Sequence, residues 1–158
     1  MKRLVLGFAA LLAMAGPAAA AGLKAINCSD DEATSSARNV VEPWEKNSKT
    51  FSSGAIRIAL LDTGGEPVCC AQHLLVTYPG GGEPDSGMDA YNNCSIVNPA
   101  GKPGFVLVHF DKLAATYDAK KGLLVTFPYE LYNDGNPSPT VTGKFLINSK
   151  TGTITPVK

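Results

Sequence analysis

Four cysteines and two histidines carry most of the chemistry open to this chain. Cys28, Cys69, Cys70 and Cys94 can pair as two disulfides. His73 and His109 can hold a transition metal through neutral ring nitrogens or serve as a general base. Cys69 and Cys70 are neighbours, and neighbouring Cα atoms are about 3.8 Å apart. A relaxed disulfide spans about 4.4–6.8 Å, and on a strand the two thiols would point to opposite faces. The spacing therefore predicts a separate partner for each, Cys28 for one and Cys94 for the other. Spacing does not fix which; the favoured assignment is Cys69–Cys94 with Cys70–Cys28. The two bridges read as structural staples, with a strained vicinal disulfide or a redox pair as the functional alternative; no C-x-x-C spacing is present, so redox catalysis has little support.

A metal centre on His73 and His109 would require their strands to be neighbours. It would also need a third ligand from Met88, a carboxylate or a cysteine. A Ser-His-Asp hydrolase has the necessary residue types, with Asp62 or Asp111 to orient a histidine, but no local signature. The chain lacks G-x-S-x-G, H-E-x-x-H and the P-loop. Gly80-Gly81-Gly82 is not followed by Lys-Ser/Thr and opens no helix. Glu83, Asp85 and Asp89 are not spaced as a calcium loop. Tyr78, Tyr129 and Tyr132 lie near strand ends, where tyrosine can serve binding. The residues thus imply neither a cofactor nor a resident metal.

The first residues set the compartment. Lys2 and Arg3 precede the apolar run Leu4–Met14, and Pro17-Ala18-Ala19-Ala20-Ala21 supplies a small-residue cleavage site. Residues 1–21 read as an export signal, too short in its apolar part to span a bilayer. Removing Lys2 and Arg3 from 14 basic residues leaves 12 against 14 acidic ones, a formal charge of −2. No basic cluster remains, which argues against nucleic acid or an anionic membrane surface as partner. Export favours oxidised cysteines.

The elements that must position these groups read as β. Residues 22–50 are expected to be an irregular arm tied down by a disulfide, with Trp44 plugging one end of the core. Residues 51–158 form a single antiparallel domain. Val68–Tyr78 is the strongest β pattern, apolar-leaning on both faces, and so a strand in the middle of the fold. Gly54–Asp62 precedes it with Ile56, Ile58 and Leu60 inward, and Thr63–Pro67 joins the two as a hairpin. Residues 79–89, with four glycines and two prolines, are a long loop. Tyr91–Val97 carries Cys94. Gly104–Phe110 is apolar on both faces and predicts a buried strand. Leu113–Asp118 and Leu123–Tyr132 flank a short turn; Pro128 predicts an edge or bulge there. Thr140–Asn148 and Thr153–Val157 make a last hairpin. About eight strands predict an all-β antiparallel sandwich or small barrel.

Four segments, Phe51–Gly64, Val68–Leu75, Tyr117–Val125 and Ile147–Ile154, resemble a group of small exported proteins of Gram-negative bacteria. The resemblance implies a β-rich exported protein and brings no activity or site residue with it. In size and cysteine economy the chain is also similar to small exported β proteins that inhibit lysozymes, a likeness of fold alone. The reading that emerges is a periplasmic or secreted binding or inhibitor-like module acting on an envelope protein or glycan. A metal-binding protein or enzyme using His73 and His109 is the alternative.

Overall fold

The computed structural model describes residues 22–64, 69–80, 93–136 and 138–157. The expected export signal at 1–21, residues 65–67 of the expected turn and all but the first two residues of the expected 79–89 loop lie outside these.

Among the described residues, ten strands form two antiparallel five-stranded sheets. The first contains β1 (Leu23–Asn27), β2 (Ser48–Phe51), β3 (Ile56–Asp62), β4 (Gln72–Tyr78) and β5 (Asn93–Pro99) in the order β1-β5-β4-β3-β2. The second contains β6 (Leu107–Val108), β7 (Ala114–Asp118), β8 (Gly122–Glu130), β9 (Val141–Asn148) and β10 (Thr153–Pro156). Its order is β10-β9-β8-β6, with β7 on the same strand as β6, β8. The fold is all-β and antiparallel, as expected, and β4 is the middle strand of its sheet.

Period-two alternation explains which side chains meet between the sheets. Ile56, Ile58, Leu60, Leu74, Val76, Tyr78 and Val97 point inward from the first sheet. Leu123, Val125, Phe127, Tyr129, Phe145 and Ile147 answer from the second. Aromatic rings dominate the contact. Phe105 meets Phe127 edge-on at 5.7 Å and Tyr129 at 4.9 Å, and Phe127 meets Phe145 at 6.0 Å. Such pairs add about 0.5–1.5 kcal/mol each beyond their burial. Gly143 faces Phe127 across β8 and β9, where a Cβ would fall 2.8 Å from the ring.

Pro128 sits in a strand paired on both sides, yet its missing donor costs no ladder bond. Its carbonyl accepts from His109 N at 3.0 Å. The nitrogen thus faces the side where β6 stops and β7 has not begun, while β9 pairs the other side without interruption.

Several expectations are corrected. Residues 22–50 are less irregular than expected: β1 pairs all five of its residues with β5, and β2 pairs β3. Between them lie α1 (Glu32–Ser35), α2 (Trp44–Asn47) and short turns at Cys28–Asp30 and Ala37–Asn39. Trp44 does not plug the core; it is 52% exposed. The 104–110 run is no continuous strand. Phe105 is buried, but Val106 and Leu107 are exposed, and only Leu107–Val108 pair with β8. Tyr78 and Tyr129 are buried core residues, leaving Tyr132 as the exposed one of the three.

The disulfide pairing also differs. Cys28 is bonded to Cys94, with Cα atoms 5.3 Å apart and a separation of 66 positions in sequence. The ladder dictates this: Asn27 faces Ser95 as the last pair of β1 and β5, so Cys28 and Cys94 form the next rung. Neither Cys69 nor Cys70 bonds to Cys28 or Cys94. The opposite-face premise failed because β4 begins only at Gln72 and the chain turns at Cys70, whose φ is +75°.

Candidate functional site

The outer face of the first sheet holds a row of side chains that alternation alone would send to water. Leu61, His73, Ile96 and Asn98 are all buried there. Register assembles the row: Lys24 faces Asn98 across β1 and β5, and Leu61 faces His73 across β3 and β4. Leu74 faces Val97, so His73 and Asn98 are the next pair along. The cover is the N-terminal segment. The Cys28–Asp30 turn and α1 pack on β5, and α2 packs on β3.

Local capping shapes that cover. Asp31 Oδ1 accepts from Thr34 N at 3.1 Å, and Asn27 Oδ1 accepts from Ser29 N at 3.0 Å. These satisfy amides that such short helices leave open. Asn39 Nδ2 donates to Ala33 O and Thr34 O at 2.8 and 3.0 Å. The Cys28–Cys94 bond anchors the start of the segment.

Between cover and sheet lies a cleft of about 530 Å³, within the usual range for a small ligand. Among the described residues, His73 and Asn98 line it, with Lys24, Arg38 and Lys102 as cations and Asp31 as the carboxylate. Among the described residues none of the three cations has an ion-pair partner; the ion pair found there is His109 Nε2 to Glu130 Oε1 at 3.0 Å, elsewhere. The described lining is net cationic, with hydrogen-bonding walls.

His73 is held rather than poised. Its Nδ1 lies 2.7 Å from Asn98 Oδ1, so Nδ1 carries the hydrogen and, in the neutral ring, Nε2 accepts. Nε2 faces Thr63 Oγ1 at 3.5 Å. His109 pairs with Glu130 instead, and the two imidazoles share no partner. Asp62 accepts from Gly64 N and orients neither ring. No group of three or more metal-capable side chains occurs among the described residues.

Cys70 lines the same cleft, so cysteine, histidine and asparagine occur together, the residue types of one hydrolase constellation. The geometry does not activate the thiol. Cys70 Sγ lies 2.7 Å from Cys69 Sγ. Burial, then the contact with Cys69, push the Cys70 thiol up to about 11, with Lys102 acting weakly the other way. Such a group stays protonated at neutral pH, whereas a nucleophilic cysteine needs a lowered value.

Gly104 closes the floor. A Cβ here would collide with Cys70 O and fall 2.8 Å from His73 Cε1 and 2.9 Å from Gln72 O. Only glycine lets the 100–104 segment, with Lys102, approach the start of β4 this closely.

Of the residues singled out from sequence, the structure brings Cys70 and His73 to one cleft and joins Cys28 to Cys94. His109 stands apart, and Met88 lies outside the described residues. Lys24, Arg38, Asn98 and Lys102 were not foreseen. The available signal was the placement of His73 on the face opposite Leu74 and Val76, which marks a second buried surface. No family model, curated protein or solved structure matches the chain.

Proposed function

We propose that this protein is an exported, disulfide-stapled β module that binds a carboxylate-bearing segment of an envelope glycan without catalysing a reaction. The observation that carries the reading is the cleft on the outer face of the first sheet, which Lys24, Arg38 and Lys102 line together with His73 and Asn98. Among the described residues, three cations against the capping carboxylate Asp31 favour an anion. The amide and hydroxyl groups of Asn39, Asn98 and Thr34 suit the hydroxyl-rich remainder of a glycan. A concave site of this volume takes a short segment of chain, not a flat protein surface. Export is supported by the signal-like residues 1–21 and by the Cys28–Cys94 bond, which needs oxidising surroundings. No helix among the described residues is long and apolar enough to cross a membrane.

Calorimetric titration of the mature protein with a purified muropeptide tests this. Binding that weakens with added salt and falls at least about tenfold in the Lys24→Glu/Arg38→Glu variant is expected. A neutral oligosaccharide of the same length should bind more weakly. Absence of muropeptide binding, or binding unchanged by the charge reversals, would overturn the assignment.

A further inference from the structure

We propose that Cys69 and Cys70 close a vicinal disulfide in the mature protein, at the rim of the cleft, and that this bridge is reduced before Cys28–Cys94. It requires only the oxidising surroundings in which Cys28–Cys94 forms, and does not depend on what the cleft binds.

Three observations converge. The two sulfurs are 2.7 Å apart, closer than unbonded sulfurs in contact and approaching the bond length of about 2.05 Å. Cys28 and Cys94 are bonded to each other, so each thiol of the remaining pair has the other as its cysteine partner. The backbone is held in the turn that brings the sulfurs together. Cys70 adopts φ +75°, a conformation that a non-glycine residue keeps only when its surroundings enforce it. They do so on both sides. Thr63 N donates to Ala71 O at 3.0 Å, Phe105 N donates to Gln72 O at 2.8 Å, and Gly104 packs directly on Cys70 O.

The chemistry is thiol–disulfide exchange with a partner disulfide, carried by a small molecule or an oxidoreductase. Cys69, the more exposed of the two, attacks one partner sulfur as its thiolate, and the first partner thiolate leaves. Cys70, held 2.7 Å away, then attacks Cys69 Sγ as its proton passes to the second partner sulfur, which leaves as a thiol. Two protons and two electrons pass from the pair to the partner, whose disulfide becomes two thiols. Because neighbouring Cα atoms lie about 3.8 Å apart, short of the relaxed span, the ring is strained and the more easily reduced of the two bridges. Closure removes the Cys70 S–H from the cleft wall and leaves one end of a rigid apolar bond there.

The test is alkylation of mature protein purified from an oxidising compartment, denatured in iodoacetamide without reductant and mapped by mass spectrometry. The expected result is no labelled cysteine, with the peptide holding Cys69 and Cys70 two hydrogens lighter than its dithiol. With graded dithiothreitol, label should appear at Cys69 and Cys70 before Cys28 and Cys94. Label on Cys69 and Cys70 in the unreduced protein would overturn the proposal, as would a cross-link from either to Cys28 or Cys94. Earlier opening of Cys28–Cys94 would do the same. The Cys69→Ser/Cys70→Ser variant provides a second check: Cys28 and Cys94 should remain unlabelled in it, and label there would contradict the assignment.

Discussion

Removing the Cys28–Cys94 bond offers the most quantitative test of how the fold is held. In Cys28→Ser/Cys94→Ser the unfolded chain regains the freedom of a loop spanning 66 residues. The chain-entropy relation puts that at about 4 kcal/mol at 25 °C. Domains of this size hold about 5–15 kcal/mol in all, so the loss is a large share. Its structural effect should be local at first, because the bond forms the rung beyond Asn27↔Ser95 and locks β1 to β5. Urea unfolding followed by circular dichroism measures it. With an m value of about 2 kcal/mol per molar, the midpoint should fall by about 2 M. The Cys69→Ser/Cys70→Ser variant closes almost no loop and should lose less than about 1.5 kcal/mol. A loss below about 1 kcal/mol in Cys28→Ser/Cys94→Ser, or an equal loss in both variants, would refute the reasoning.

Other perturbations follow from the same geometry. Gly104→Ala forces a methyl group into the backbone of Cys70 and Gln72, and should cost about 2–3 kcal/mol in urea unfolding. Phe127→Ala removes the ring that joins Phe105, Tyr129 and Phe145; a loss of about 3–5 kcal/mol is expected by the same assay. Asp118 Oδ1 accepts from Lys120 N and Lys121 N at the β7–β8 turn. These bonds, Lys121 first, hold its carboxyl below the ordinary carboxylate value. The contribution is therefore present above the unfolded value and lost as pH falls through the lower folded one. Melting temperature against pH should show that acid-side decline reduced in Asp118→Ala.

Strand identity was legible wherever a period of two ran uninterrupted. Ile56, Ile58 and Leu60, and Leu123 to Tyr129, occupy the core faces that their spacing assigned. The Cys28–Cys94 pairing was not legible, because it depends on the register of β1 against β5, which no local pattern encodes. The same holds for the cleft. Lys24, Asn98 and His73 meet through two strand registers, and Arg38 and Lys102 come from a turn and a loop with no periodic signal. His73 and Asn98 broke the simple inward–outward reading, being polar yet 5% and 3% exposed. Their burial reflects a second layer, the N-terminal segment, that sequence presented as a loose arm. Cys70 illustrates the opposite limit: a single residue at positive φ ended the strand and reversed the prediction about its neighbour.

The most direct measurement of the cleft's role is amide and side-chain shift mapping on isotope-labelled mature protein during muropeptide titration. Saturable shifts should cluster on Lys24, Arg38, Asn39, Thr63, His73, Asn98 and Lys102, with the β7–β8 turn unmoved. Shifts centred on that turn or on the exposed Tyr132, or no shifts at all, would contradict the assignment.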